Sequence, residues 1–207
     1  MITVLGRANS LNVRKVLWLL DELGLAYERE DWGHGFRDAR SPEFLKLNPN
    51  GLVPVINDGG FVLWESHAIL HYLAERHGPT RILPADLRAR AISEQWLGWQ
   101  ATELNSSWVY AVMHLFRRDP NYQDPELVAR SIALWTSRMR ILEARLAETG
   151  AHVAGEEFTL ADIAIGLSVH RWQSLAFEKP DLPAVAAYAE RLRRRPAGAR
   201  YMSPETP

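Results

Sequence analysis

Apolar residues follow two different periods along this chain, and the change falls close to residue 80. Before that point, runs that alternate or are rich in β-branched residues predict four strands, at 2–5, 26–32, 53–56 and 61–64. Apolar residues three and four positions apart predict helices at 13–23 and from 66 to about 76. Ser41-Pro42 predicts the start of a shorter helix that ends near residue 47. This part therefore predicts a βαβ unit followed by a β-hairpin and a closing helix.

From residue 87 onward the apolar pattern is helical throughout. It predicts a long helix, or two joined segments, over 87–116, and further helices at 125–146, 159–175 and 183–194. Gly78-Pro79 is expected to end the preceding helix, and a linker that contains Pro84 follows. We therefore predict two domains, an α/β domain over 1–78 and an all-α domain over 87–207. The tail 201–207 is expected to be loose.

The composition narrows the possible functions. The chain has 207 residues, of which 47% are hydrophobic, enough to build two cores. A formal net charge of -1 argues against a nucleic-acid partner. The sequence has no cysteine, which excludes disulfides, thiolate metal ligands and cysteine catalysis, and no metal is expected. No signal peptide and no apolar run of about 20 residues is recognisable, so we expect a cytoplasmic protein without a membrane partner.

Pro54 opens a predicted strand, which is unusual because proline donates no hydrogen bond to a sheet. One interpretation is a cis bond after Val53 that leaves the Val53 N–H and C=O free to pair with an extended peptide. The other interpretation is an edge-strand proline that only shapes a turn. The surrounding run, Leu52-Val53-Pro54-Val55-Ile56, does not separate the two.

Glu65 and Ser66 stand between a predicted strand and a predicted helix. Ser66 occupies the position expected of an N-cap, and a helix start offers free N–H groups and a positive dipole end to a carboxylate. Glu65 beside it is suited to an ammonium group. The pair would hold an α-amino acid head group, or it is an ordinary helix cap with a neighbouring surface acid.

The polar loop at 6–12 joins the first strand to the first helix. In an open α/β sheet such a loop lies at the carboxyl edge of the strands, where ligands bind. Ser10 or Asn12 is therefore a candidate donor to an anionic ligand. Either residue would equally serve as the cap of the helix, and Asn12 is the predicted cap.

In this order and spacing, the motifs resemble the cytosolic glutathione transferases, in particular bacterial serine/asparagine-type members that are theta-like or nu-like. The resemblance covers the whole chain. It includes the run from Asn48 to Val55, the run from Glu65 to Ile69, the proline linker and the helical second half. It implies a thioredoxin-like α/β N-terminal domain plus an all-α C-terminal helical domain.

Thr159 and Asp162 provide a further match in the second half. Thr159 is placed as an N-cap with Asp162 three residues later, which is the spacing of a capping box. The family has the same sequence in its helical domain. This motif supports the fold and not the chemistry, because its role is to start a buried helix.

The resemblance also implies how glutathione is bound by the first domain. The cysteinyl backbone would pair with Val53 beside a cis Pro54. The γ-glutamyl carboxylate would meet Ser66, and the ammonium would approach Glu65. His67, the next residue of that helix, is included among the glutathione-binding residues.

Leu52 departs from the family pattern. Many relatives carry Lys, Arg or Gln at this position and use it to hold the glycyl carboxylate, which leucine cannot do. His34, Arg37 and Lys46 are the candidates to replace it.

Two residues are the main candidates to donate a hydrogen bond to the glutathione sulfur. Serine-type relatives place the serine four residues before the basic residue of the first helix, and Ser10 precedes Arg14 by four. Other relatives combine Thr or Ser with an Asn two residues later, a pattern that Asn12 fits. Ser10 is the first candidate, and Asn12 is the second or a joint donor. Asn9 is a further candidate but is less well placed. Such a bond favours the thiolate, which is the nucleophile.

An apolar electrophile is expected against the helical domain. The candidate lining residues are Trp108, Met113, His114, Phe116, Arg171 and Trp172. For each of them the alternative is packing in the core. The predicted activity is therefore glutathione transfer to an apolar electrophile. Glutathione-dependent reduction of a disulfide or peroxide, and non-catalytic binding of ligands or partners, are the alternatives. The family usually forms two-fold dimers, so a homodimer is expected.

Overall fold

The computed structural model describes residues 1–77 and 81–203. The chain divides into two compact units, Met1–Leu83 and Pro84–Pro207. Gly78-Pro79, the predicted helix end, and residues 204–207 of the predicted loose tail lie outside the described residues. No helix among the described residues is long and apolar enough to cross a membrane.

The first unit is built on a mixed four-stranded sheet. Its strands are β1 (Ile2–Leu5), β2 (Tyr27–Glu30), β3 (Val55–Asp58) and β4 (Phe61–Trp64). They lie in the order β2-β1-β3-β4, with β1 parallel to β2 and antiparallel to β3, and with β3 antiparallel to β4. The helices are α1 (Leu11–Glu22), α2 (Pro42–Leu45) and α3 (Ser66–His77). The predicted βαβ unit, hairpin and closing helix are confirmed.

The start of α1 differs from the prediction. Ser10, and not Asn12, holds the N-cap position, with extended backbone angles and no capping bond from its side chain to the described residues. Asn12 is instead the second residue of the helix. Gly6 allows the preceding loop to pass close by, because a Cβ at this position would lie 2.5 Å from the Cγ2 atom of Val13. The loop and the helix start are therefore packed against each other.

Strand β3 begins at Val55, two residues later than predicted. Val55 pairs with Leu5 of β1. Pro54 precedes this ladder, since it has no N–H to contribute. A buried cluster of Leu5, Trp32, Ala39, Phe44 and Val55 holds the segment before α2 against the sheet.

Helices are the only regular secondary structure among the described residues of the second unit. Its helices are α4 (Leu87–Trp99), α5 (Asn105–Ser107), α6 (Val109–Leu115), α7 (Pro125–Thr149), α8 (Leu160–Ser174), α9 (Pro183–Arg193) and α10 (Pro196–Tyr201). A π-helical segment, Gln100–Leu104, links α4 to α5, so the predicted 87–116 helix is divided into several segments. Helix α10 was not predicted, and it buries Tyr201 and Met202 where a loose tail was expected.

The predicted capping box starts α8. The Asp162 carboxylate accepts from the Thr159 backbone N–H at 2.8 Å, the Val153 backbone N–H at 2.9 Å and the Tyr188 hydroxyl at 2.9 Å. Asp162 is fully buried, and this burial raises the pKa of its carboxyl. The group therefore belongs to the core of the helical unit.

Candidate active site

A small cavity lies in the first unit where the starts of α1 and α3 approach the chain before β3. Its volume is about 100 Å³. It is lined by Asn12, Asn48, Leu52, Val53, Pro54, Glu65 and Ser66. Four of the predicted glutathione-binding residues, Val53, Pro54, Glu65 and Ser66, are thus brought together with one of the two candidate sulfur donors.

The Val53–Pro54 peptide bond is cis, which is one of the two interpretations that the sequence left open. Within the described part of the chain, the backbone N–H and C=O of Val53 make no hydrogen bond. The preceding turn is fixed from inside by the buried Asn48, whose Nδ2 donates to the Leu52 carbonyl at 2.7 Å. A fixed backbone with both groups free is suited to pairing with an extended peptide.

Glu65 and Ser66 hold unusual positions at the start of α3. Glu65 has a φ of 73°, a left-handed conformation that is costly for a residue with a side chain. The Ile69 N–H donates to the Glu65 carbonyl at 2.9 Å. The sequence placed Ser66 at the N-cap of α3, but Ser66 is the first residue of the helix itself. Ser66 is only 5% exposed and still lines the cavity. The N–H groups of this first turn have no partner within the helix.

Ser10 and Asn12 differ in their relation to this cavity. Asn12 is exposed and lines it, whereas Ser10 is half-buried at the N-cap of α1. The Arg14 N–H donates to the Ser10 carbonyl at 2.9 Å. Burial lowers the pKa of the Arg14 guanidinium to about 10, so Arg14 remains charged at neutral pH. A buried cation therefore lies four residues after Ser10 and two residues after Asn12 in the same helix start.

A second and larger cavity shares Leu52 and Val53 with the first. It has a volume of about 430 Å³, and its polar lining includes Arg7, His34 and Arg40. His34 was a predicted candidate for the glycyl carboxylate. Arg40 was missed by the sequence analysis, although it directly precedes the Ser41-Pro42 helix start. A Cβ on Gly51 would lie 2.8 Å from the Cδ atom of Arg40, so this arginine passes close beside the turn that leads to Leu52.

Three predicted residues are not among the described residues that line either cavity. Arg37 donates from Nη1 to Glu30 Oε2 at 2.8 Å, and its guanidinium lies 5.3 Å from the Trp32 ring centre. Lys46 is exposed on the surface. His67 is 3.1 Å from Lys15, measured from Nε2 to Nζ. Arg37 and His67 thus make contacts with other residues of the first unit, and their roles in glutathione binding stay predictions.

The predicted electrophile residues lie in the helical unit with mixed exposure. Trp108 and Trp172 are each 3% exposed, and both pack edge-on against Trp135, at ring-centre distances of 5.2 and 5.0 Å. These two tryptophans are therefore core residues, as the alternative interpretation held. The Arg171 guanidinium lies 5.8 Å from the Trp108 ring centre.

The remaining candidates, Met113, His114 and Phe116, are half-buried. His114 is held through its Nδ1 atom, 2.9 Å from the Tyr122 carbonyl. These three side chains keep exposed surface that a ligand can contact.

The chain matches two family descriptions. "Glutathione S-transferase, N-terminal domain" covers residues 9–76, and "Glutathione S-transferase, C-terminal domain" covers residues 110–196. Glutathione S-transferase GstB of Escherichia coli (strain K12) is 35% identical over 199 residues, which are 95% of each chain. Disulfide-bond oxidoreductase YfcG of the same strain is 35% identical over 201 residues, 90% of this chain and 87% of that protein.

A solved structure is similar to this chain over nearly its whole length. The theta class glutathione S-transferase from Xanthomonas axonopodis pv. citri, with glutathione bound, has a TM-score of 0.92 and 34% identity. The match covers 98% of this chain and 97% of that one.

A thioredoxin-like α/β unit that carries this cavity, followed by an all-helical unit, defines a glutathione-dependent enzyme. The chain belongs to the glutathione S-transferase family. The predicted family, fold class and enzyme class are confirmed, and glutathione is the substrate that this family membership supports.

Proposed function

We propose that this glutathione transferase joins glutathione to an apolar electrophile, with glutathione bound by residues 1–78 and the electrophile by residues 87–207. One observation carries the proposal. A single cavity at the starts of two helices is lined by residues from three separate segments, among them Asn12, Val53, Pro54, Glu65 and Ser66. Helix starts stabilise anions, and glutathione bears a carboxylate at each end.

The γ-glutamyl end of glutathione is assigned to the cavity beside α3. Its carboxylate accepts from Ser66 and from the free N–H groups of the first turn, and its ammonium approaches Glu65. The cysteinyl N–H and C=O pair with the free backbone groups of Val53. These contacts hold the peptide in an extended conformation.

The glycyl carboxylate is assigned to the larger cavity. Leu52 is 59% exposed and has no group to bind a carboxylate, but His34 and Arg40 line the same cavity. Because the two cavities share Leu52 and Val53, an extended peptide paired with Val53 reaches both. Arg40 supplies a permanent positive charge and a planar donor pair, which suits a carboxylate.

The sulfur is assigned to the start of α1. Ser10 and Asn12 donate to it, and the helix dipole and the charge of Arg14 lower the pKa of the thiol. The thiol proton is lost to solvent. The thiolate then attacks the electrophilic carbon, so that a C–S bond forms and the leaving group departs with its electron pair.

The test is a calorimetric titration of glutathione at neutral pH, followed by a conjugation assay with an aryl halide. Saturable binding and chloride release from 1-chloro-2,4-dinitrobenzene support the proposal. Absence of glutathione binding at millimolar concentration would overturn it.

A disulfide reductase is a second candidate function. Two observations favour it: a relative named disulfide-bond oxidoreductase is 35% identical, and an asparagine lines the cavity. Reduction of 2-hydroxyethyl disulfide by glutathione, measured beside aryl-halide conjugation, separates the two. The larger kcat/KM identifies the main activity.

We further propose a homodimer. Large apolar side chains are exposed on β4, where Phe61 is 50% exposed and Trp64 is 36% exposed. They are also exposed on α4, where Leu87 is 78% exposed and Ile92 is 37% exposed. Exposed apolar side chains of this kind are typical of interfaces. Sedimentation equilibrium tests this proposal, since a species of 23.5 kDa would contradict it.

A further inference from the structure

Lys15 is a buried cation in the helix that starts at the active site. Its side chain is only 3% exposed, although lysine is among the residues that are least often buried. Burial of an ammonium group is unfavourable unless partners compensate for the lost water. A lysine kept in such a place calls for a reason beyond packing.

One contact of Lys15 connects it to the other helix of the site. The Lys15 Nζ atom lies 3.1 Å from the Nε2 atom of His67, and α1 packs against α3. An ammonium has no lone pair, so in this contact Lys15 donates and the Nε2 atom of His67 accepts. His67 directly follows Ser66 in the first turn of α3.

We propose that Lys15 is a positioning residue for glutathione, which orients the first turn of α3 through His67 and adds positive potential at the γ-glutamyl carboxylate. The inference rests on the proposed placement of that carboxylate at Ser66. A buried charge is poorly screened by solvent, so it acts on a nearby anion more strongly than a surface lysine would. Lys15 contacts no ligand in this arrangement and is not a catalytic residue.

The test compares glutathione with 4-aminobutanoyl-cysteinylglycine, which lacks only the γ-glutamyl carboxylate. Lys15→Met keeps most of the side-chain volume and removes the charge. We expect this variant to weaken glutathione binding about tenfold but to weaken analogue binding less than about twofold. We also expect kcat at saturating glutathione to change by less than about twofold, since the effect is on binding. Lys15→Arg keeps the positive charge and is expected to retain most of the preference for glutathione over the analogue.

Three further variants test the role of His67 and provide a control. His67→Gln keeps an acceptor for Lys15 and retains the preference, whereas His67→Leu loses it. Tyr72→Phe is the matched control, because it removes a different bond of α3, the 2.9 Å contact from the Tyr72 hydroxyl to Asp58. This control is expected to affect both ligands equally.

Equal weakening of both ligands by Lys15→Met, together with a lower melting temperature, would show a structural role and overturn the inference. Ser66→Ala separates this result from a wrong placement of the ligand. If Ser66→Ala also leaves the preference for the carboxylate intact, the placement at Ser66 has failed. If Ser66→Ala abolishes the preference and Lys15→Met does not, only the role of Lys15 has failed.

Discussion

Each unit begins a central helix with a polar motif, and the two motifs have opposite surroundings. At the start of α8, the oxygens of Asp162 accept from Val153, Thr159 and Tyr188, and the residue is fully buried. At the start of α3, Ser66 is also nearly buried, but it lines a cavity. A similar local pattern in the sequence thus yields a closed helix start in one unit and an open one in the other.

The difference shows how a binding site can be distinguished from a structural cap. The polar groups of a closed helix start make their hydrogen bonds to other groups of the protein, so substituting them is expected to lower stability. The polar groups of an open helix start are available to bind a ligand, so substituting them is expected to lower the affinity for that ligand. The left-handed Glu65, with a φ of 73°, fits the second case because backbone strain concentrates at functional sites.

The largest expected effect is on the closed helix start. We expect Asp162→Ala to lower the free energy of unfolding by about 3 kcal/mol, because it leaves several buried donors without an acceptor. Urea unfolding measures this loss. Asp181→Ala, at an exposed aspartate, is the control and is expected to change stability by less than about 0.5 kcal/mol. Similar losses for the two variants would contradict the closed character of the α8 start.

The next effect concerns the start of α1. We expect Ser10→Ala and Asn12→Ala each to lower kcat/KM about tenfold, and the double variant about a hundredfold, because donors to a developing thiolate are removed. The pH profile of kcat/KM is expected to shift to higher pH, since the thiol pKa rises toward its ordinary value of about 8.5. Asn9→Ala, in the same loop, should leave the profile in place. An unchanged profile in the double variant would remove both residues from the reaction.

A smaller effect is expected at the open start of α3. Ser66→Ala removes one hydrogen bond to a carboxylate and should raise the KM for glutathione about tenfold. Its kcat should remain within about twofold, because the carboxylate is bound alike in the ground and transition states. Steady-state kinetics and a melting curve test this together. A large loss of stability without a change in KM would make Ser66 a structural residue like Asp162.

The smallest expected effect separates two arginines that the sequence does not distinguish. Arg40→Gln should raise the KM for glutathione about threefold, because the arginine is exposed and its charge is screened. Arg37→Gln is the matched control, since Arg37 is paired with Glu30, and its KM should be unchanged. In the opposite direction, Leu52→Lys should lower the KM by a similar factor. Equal behaviour of the two arginine variants would contradict the placement of the glycyl carboxylate.

Much of the fold was predictable because local chemistry fixes it. Strands β1 and β4 lie where their apolar runs predict, and Ser41 caps α2 through a 3.4 Å bond from the Phe44 N–H. Gly24 and Gly150 lie at the ends of α1 and α7 and adopt φ values of 64°, the left-handed conformation that glycine allows at a helix end. The π-helical segment at Gln100–Leu104 was not predictable in the same way. Its buried Gln100 donates to Ser168, a residue 68 positions away.

The candidate site was predicted in part. Val53, Pro54, Glu65 and Ser66 carry local signals: a proline before a strand, and a polar pair before a helix. Their shared cavity with Asn12 agrees with the prediction that these segments act together. Arg40 had no such signal, because an arginine beside a helix cap is common on protein surfaces.

The sequence alone determined most of the elements, their order and the residues able to bind an anion at a helix start, since these follow from nearest-neighbour chemistry. The tertiary structure decided which of those polar side chains face a cavity and which face each other. His67 and Lys15 meet although they are 52 residues apart, and Asn12 lines one cavity together with Val53 and Ser66, which lie on distant segments of the chain. Neighbouring side chains on a helix point about 100° apart, so the packing of the whole helix decides which of them face a cavity.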